Sequence, residues 1–114
     1  MRAEARKLLW DAHQAASRVI EFTAGKSFGD YQADALLRSA VERQLEIAGE
    51  ALAQLRRTDT QTAATIADLP RVVGFRNVLV HGYATVDDRL VWGVVESHIG
   101  SLCMALDALL RSND

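Results

Sequence analysis

The spacing of apolar residues favours α-helices along almost the whole chain. In four segments apolar side chains recur every three or four residues, as they do on one face of a helix. These segments are residues 1 to 23, 31 to 57, 70 to 83 and about 87 to 110. An alternating strand pattern never extends beyond a few residues. The sequence therefore predicts an all-α bundle of four or five helices.

Three stretches leave the local structure open or interrupted. Residues 24 to 30, AGKSFGD, break the first helix, and the Thr- and Ala-rich residues 58 to 67 suit either a short helix or a loop. The β-branched residues of VVGFRNVLV, residues 72 to 80, leave a strand as the alternative to the third helix. Pro70 favours the helix there, because proline tolerates the first helical turn.

Composition limits the class of protein. A length of 114 residues with 49% hydrophobic residues fits one domain spanning residues 1–114. A formal net charge of -2 gives no chain-wide basic field, so any RNA contact must come from a local patch. The single cysteine, Cys103, excludes an internal disulfide. With no signal peptide and no apolar run close to a membrane span, we expect a cytoplasmic protein without a membrane partner.

The segment RNVLVHGY, residues 76 to 83, concentrates polar side chains among valines. Because each helical residue turns about 100°, the polar side chains share an arc of about 160° with two valines. The residues of this mixed arc are Arg76, Asn77, His81, Tyr83, Val73 and Val80. The opposite side of the helix is apolar and is the predicted core face, with Val72, Phe75, Val78 and Leu79. The mixed arc predicts a surface that a second subunit partly buries.

Arg76 and His81 form an open pair, about 7.5 Å apart along the helix axis. If this face packs on itself about a two-fold axis, both pairs converge on one locally basic cleft. Such a cleft suits metal-free cleavage of an RNA phosphodiester that leaves a 2′,3′-cyclic phosphate. His81 would transfer protons, Arg76 would bind the phosphate, and Asn77 would orient the imidazole or the phosphate. No metal and no cofactor are required.

RNVLVHGY resembles the R-x4-H-x-Y signature of HEPN-domain proteins. RQLEIAGEAL, residues 43 to 52, and VDDRLVWGVVE, residues 86 to 96, are similar to two further segments of the HepT toxin family, the ribonuclease half of HEPN/MNT toxin–antitoxin modules. The resemblance covers nearly the whole chain.

The resemblance implies a homodimeric HEPN-type bundle that cleaves tRNA or mRNA. It assigns catalysis to Arg76 and His81, with Asn77 as the usual polar neighbour. Tyr83 matches the tyrosine to which a partner MNT nucleotidyltransferase, the antitoxin, adds AMP. AMP at Tyr83 would place bulk and negative charge beside Arg76 and obstruct RNA entry.

Several residues have plainer interpretations. Arg76 and His81 would equally suit a helix end or an acidic partner, and Tyr83 could be a packing residue. Glu50 could set the rotamer of Arg76 or form an ordinary surface ion pair. His13 and His98 lack metal-ligand spacing.

Three functions follow from these residues. The first is the toxin ribonuclease. The alternative is a non-catalytic helical subunit that binds substrate or nucleotide for an MNT nucleotidyltransferase, and the last is a helical oligomerisation domain. AGKS, residues 24 to 27, lacks the earlier glycine and the preceding strand of a phosphate-binding loop, so it adds no nucleotide site.

Overall fold

The computed structural model describes residues 1–82 and 86–112, and it is helical with no strand in those ranges. The helices are α1 (Ala3–Thr23), α2 (Phe28–Ala33), α3 (Ala35–Thr58), α4 (Thr60–Ala64), α5 (Leu69–His81), α6 (Asp88–Val94) and α7 (Gly100–Arg111), with a π-helical turn at Val95–Ile99. The all-α prediction is confirmed. The strand alternative for residues 72 to 80 is wrong, because α5 contains them all.

The bundle is built around α1 and α3. Helix α3 packs between α1 and α5, and α1 packs between α3 and α7. The face of α1 that enters the core is mostly alanine, which lets its neighbours approach closely. The largest fully buried aliphatic side chains come from every long helix and from the segment before α5: Leu9, Leu45, Leu52, Leu55, Ile66, Leu69, Ile99, Leu102 and Leu106. The predicted stripes of α1, α3 and the last helix therefore form one core.

The segment AGKSFGD both ends α1 and begins α2. Gly25 has a φ of 73°, a left-handed conformation that glycine adopts at low cost after a helix. Ser27 and Asp30 then form a reciprocal capping box: the Asp30 N–H donates to Ser27 Oγ at 3.1 Å, and the Ser27 N–H donates to Asp30 Oδ2 at 2.9 Å. The prediction of one helix from residue 31 to 57 was wrong at its start, because Asp34 ends α2 and caps α3.

Helix α4 lies in the segment of residues 58 to 67, for which the sequence allowed either a short helix or a loop. The Asp59 side chain accepts a hydrogen bond from the Thr62 N–H at 3.1 Å and so caps a helix of five residues. This short turn leads into α5.

The π-helical turn fixes the last helix against the start of α5. His98, in the turn, lies 2.8 Å from Asp68 Oδ1, measured from Nδ1. Asp68 is the residue before α5, and its carboxylate bonds to His98 instead of capping its own helix. The contact therefore links two elements that lie 30 residues apart in sequence.

Asp88 to Arg111 form a continuous helix that is long and apolar enough to cross a membrane by length and composition alone. Its mean hydropathy reaches 1.3 over the best window. Core helices of helical bundles pass the same test, and this one packs Ile99, Leu102 and Leu106 into the core beside α1.

Helices α3 and α5 approach most closely at Gly49. A Cβ atom at this position would lie 2.4 Å from Cβ of Arg76 and 3.2 Å from the carbonyl oxygen of Val72. Neither atom can move away easily, because both belong to or adjoin the backbone of α5. Only glycine therefore permits this separation of the two helices.

We predict that Gly49→Ala destabilises the protein by about 1 to 3 kcal/mol, the usual cost of overpacking a tight contact. Urea denaturation of the two proteins measures the difference. Gly100→Ala is the matched control, since a Cβ there meets nothing within 4 Å. Equal stability of Gly49→Ala and wild type would show that α5 is free to shift.

Candidate active site

Arg76 lies at the centre of the face that α5 packs into the bundle. The side chains on either side of it along this face, Leu69, Val72, Val73 and Leu79, are all buried. Arg76 itself emerges between α3 and α5, with 30% of its side chain exposed. Since its Cβ faces Gly49, the backbone approach of the two helices determines where the guanidinium leaves the core.

The guanidinium of Arg76 is held by a small polar network. Nη2 lies 2.6 Å from Oε1 of Glu50, and Nη1 donates to Oδ1 of Asn77 at 2.9 Å. Glu50 accepts a second hydrogen bond, from Nε2 of Gln54 at 3.1 Å. These contacts use two of the five N–H groups of the arginine, so the remainder can bind an anion.

His81 occupies the last turn of α5 and is exposed. It follows Arg76 by five residues, which turns its side chain about 140° away from the arginine. Asn77, also exposed, lies between the two in rotation and bonds to Arg76. One protomer therefore presents the imidazole and the guanidinium on different sides of the same helix.

The predicted division of α5 into two arcs is wrong for two valines. Val73, expected on the mixed surface, is buried, and Val78, expected in the core, is 45% exposed. The buried face is centred near Arg76, because position 49 has no side chain and that side of α5 can therefore pack closely against α3. Val80 is exposed as expected.

The other predicted site residues are Glu50 and Tyr83. The structure brings Glu50 to Arg76, as one interpretation of Glu50 required. Tyr83, the predicted modification site, lies outside the described residues. Among the residues that the structure describes, no group of three or more His, Cys, Asp or Glu side chains could hold a metal ion.

Sequence reasoning missed two features of the site. One is the role of Gly49 in packing, although a glycine inside a helix with an apolar stripe is itself a sign of close helix packing. The other is Gln54, whose spacing of four residues from Glu50 on one helix favours the hydrogen bond between their side chains.

Comparison with known protein families identifies the family of this chain. A family model described as ribonuclease HepT-like matches residues 12–109. The chain belongs to the HepT-like ribonuclease family. The predicted family is confirmed, and the matched range contains Gly49, Glu50, Arg76 and His81.

Three relatives of this HepT-like chain have provisional names as ribonucleases. A protein of Methanocaldococcus jannaschii is 31% identical over 84% of this chain and 87% of its own length. One from Caldanaerobacter subterraneus subsp. tengcongensis is 32% identical over 82% of each chain. A HepT ribonuclease of Thermococcus cleftensis is 31% identical over 90% of this chain and 92% of its own. No solved structure matches this chain significantly.

Loss of the Arg76 ion pair should affect stability little. The Glu50 side chain is 43% exposed, and solvent weakens such pairs. We predict that Glu50→Ala lowers the free energy of unfolding by less than about 1 kcal/mol, measured by urea denaturation. Gln54→Ala serves as a control on the same network. A loss above about 3 kcal/mol would mean that the pair behaves as a buried one.

Proposed function

We propose that this HepT-like protein is a metal-independent endoribonuclease and the toxin of a HEPN/MNT module. The observation that carries the proposal is the pairing, on α5, of an exposed histidine with an arginine whose guanidinium is already positioned by Glu50 and Asn77. The family match and the ribonuclease names of the relatives support RNA as the substrate.

The chemistry would need only these side chains. His81 takes the proton from a ribose 2′-OH, the freed oxygen attacks the adjacent phosphorus, and the 5′-oxygen leaves with a proton from an imidazolium. Arg76 stabilises the added charge on the phosphorus oxygens. The products are a 2′,3′-cyclic phosphate and a 5′-hydroxyl. Proton transfer of this kind contributes about 10²- to 10⁴-fold to the rate.

A homodimer would complete the site. His81 and Arg76 point about 140° apart on one helix, so a second copy of α5 is needed to surround one phosphate with both kinds of group. Val80, which is exposed and lies on the same predicted arc as Arg76 and His81, offers apolar surface for that contact. The proposed dimer interface is therefore the exposed part of the predicted arc on α5, at Asn77, Val80 and His81.

Control of the toxin would come from an MNT nucleotidyltransferase antitoxin. The Tyr83 hydroxyl, two residues after His81 in sequence, would attack the α-phosphorus of ATP, lose its proton and release pyrophosphate. The product carries a phosphodiester and a nucleoside on Tyr83. Its charge and bulk would compete with the RNA phosphate for Arg76. Family membership supports this arrangement.

The wild-type protein should cleave total tRNA or an mRNA in the presence of EDTA and leave 2′,3′-cyclic phosphate ends. Arg76→Ala and His81→Ala should lower the cleavage rate by at least about 100-fold with the fold intact. Gel analysis and end-group mapping of the fragments give the rates and the products.

Arg18→Ala, an exposed arginine on α1, is the matched control and should cleave like wild type. Cleavage that requires a divalent metal would contradict the mechanism. No cleavage by folded, AMP-free wild type, together with binding of an MNT nucleotidyltransferase, would favour the non-catalytic subunit.

A further inference from the structure

The outward face of α5 borders a groove that the proposed chemistry does not use. The groove lies between α5 and α6 and has a volume of about 340 Å³. Its lining consists of Pro70, Arg71, Gly74, Phe75, Val78 and Leu90. Val78 and Leu90 are about half exposed, at 45% and 51%, so its apolar walls are accessible to a ligand. Its size suits a small planar group such as a nucleobase.

The charge of this groove distinguishes it from the larger one on the opposite side of α3. Among the described residues, the lining of the α5–α6 groove contains one cation, Arg71, and no carboxylate. The groove between α1 and α3, of about 510 Å³, is lined by four carboxylates as well as by three cations. Arg71 forms no ion pair with a carboxylate among the described residues. Of these two grooves, the α5–α6 groove is therefore the better suited to an anion.

A second groove, with no carboxylate among its described lining residues, meets the first at Pro70. It has a volume of about 250 Å³, runs beside α4, and shares Pro70 with the α5–α6 groove. Its cation is Arg56, in the last turn of α3, and Thr60 adds a hydroxyl to its lining. Arg56 and Arg71 therefore line two adjoining grooves without a neutralising acid in either lining.

Gly74 lies between Arg71 and His81 on the outward face of α5. A Cβ atom there would meet nothing within 4 Å. Glycine inside a helix lowers helix stability, and the packing of this protomer gives no reason for it. Gly74 and His81 differ by about 20° in their angle around the helix axis. The backbone at Gly74 therefore lies on the same side of α5 as the imidazole.

We propose that the two grooves form a binding track for single-stranded RNA that leads to His81. Arg71 and Arg56 bind phosphates, the apolar walls of the α5–α6 groove hold a nucleobase, and Gly74 lets the strand approach the helix backbone. Arg71 is ten residues before His81, about 15 Å along the axis, so the track extends the substrate by several nucleotides beyond the scissile phosphate. The inference rests on the proposed ribonuclease function and assigns the substrate strand its path.

A second copy of this chain is the other occupant to consider, because Val78 and Leu90 expose apolar surface. Packing this groove on itself would bring Arg71 of both copies into one interface whose lining holds no carboxylate. Unpaired charge in a buried interface is costly. RNA phosphates neutralise the same arginines, so the charge favours RNA.

The salt dependence of RNA binding tests the phosphate contacts. Fluorescence anisotropy with a labelled single-stranded RNA in EDTA, in the His81→Ala background, separates binding from cleavage. Each of Arg71→Ala and Arg56→Ala should weaken binding about tenfold, as the loss of one charged hydrogen bond does. Each should also reduce the slope of log K against log salt by about 0.7. Arg18→Ala, in the groove with four carboxylates, is the matched control and should change neither quantity.

Gly74→Leu tests the groove without removing a charge. The substitution should raise the melting temperature, because leucine favours a helix more than glycine does, and should weaken RNA binding by filling the groove. Gly100→Leu is the matched control: position 100 is equally open, so it should keep normal RNA binding.

The outcomes separate this track from the ribonuclease activity. Wild-type cleavage combined with Arg71→Ala and Gly74→Leu variants that bind RNA normally would overturn the track and leave the activity standing. Variants that lose dimerisation in sedimentation experiments, with RNA affinity per dimer unchanged, would assign the groove to a second copy and also overturn the proposal. Weakened binding with reduced salt slopes would support the track even if the wild type cleaved no RNA.

Discussion

The approach of α3 to α5 at Gly49 is the contact on which the site depends. Because position 49 has no side chain, the Cβ of Arg76 fits directly against α3, and the arginine lies in the middle of a buried face with only its guanidinium outside. The charged group is thus fixed at its base by core packing and at its tip by Glu50 and Asn77. If α3 and α5 were further apart, the Arg76 side chain could adopt many rotamers.

The network around Arg76 also sets how readily a substrate can bind there. The Glu50 carboxylate already bonds to part of the Arg76 guanidinium. An RNA phosphate must therefore either share the guanidinium with Glu50 or displace the carboxylate. Partly exposed pairs of this kind contribute about 0 to 1 kcal/mol, so displacement costs little. Glu50 can therefore hold the empty arginine in place and still yield to a phosphate. On a chain with a net charge of -2, such local arrangements replace a general basic surface.

Much of the fold followed from periodicity, and its errors have identifiable physical causes. Long stripes of Leu, Val and Ala predicted α1, α3, α5 and the last helix, because burial of one face dominates their stability. Helix α2 was missed because six residues are too few for a periodic signal, although Ser27 and Asp30 carried a capping signal. The family resemblance was confirmed by the match over residues 12–109.

The candidate site was predictable in composition and less so in orientation. RNVLVHGY identified Arg76, Asn77 and His81 as the polar groups, but a helical wheel cannot say which arc enters the core when valines and polar residues alternate. The contact with Gly49, a long-range one, decides that Val73 is buried and Val78 exposed. The separation of Arg76 from His81 around the helix, by contrast, follows from their spacing of five residues, which predicted an open pair.

The most direct test of the account replaces one ribose at a mapped cleavage site with 2′-deoxyribose in a synthetic RNA. If the 2′-OH is the nucleophile activated by His81, cleavage at that linkage should disappear in EDTA while neighbouring sites and overall affinity stay unchanged. Continued cleavage at the deoxy linkage would require water as the nucleophile and would contradict the mechanism built on Arg76 and His81.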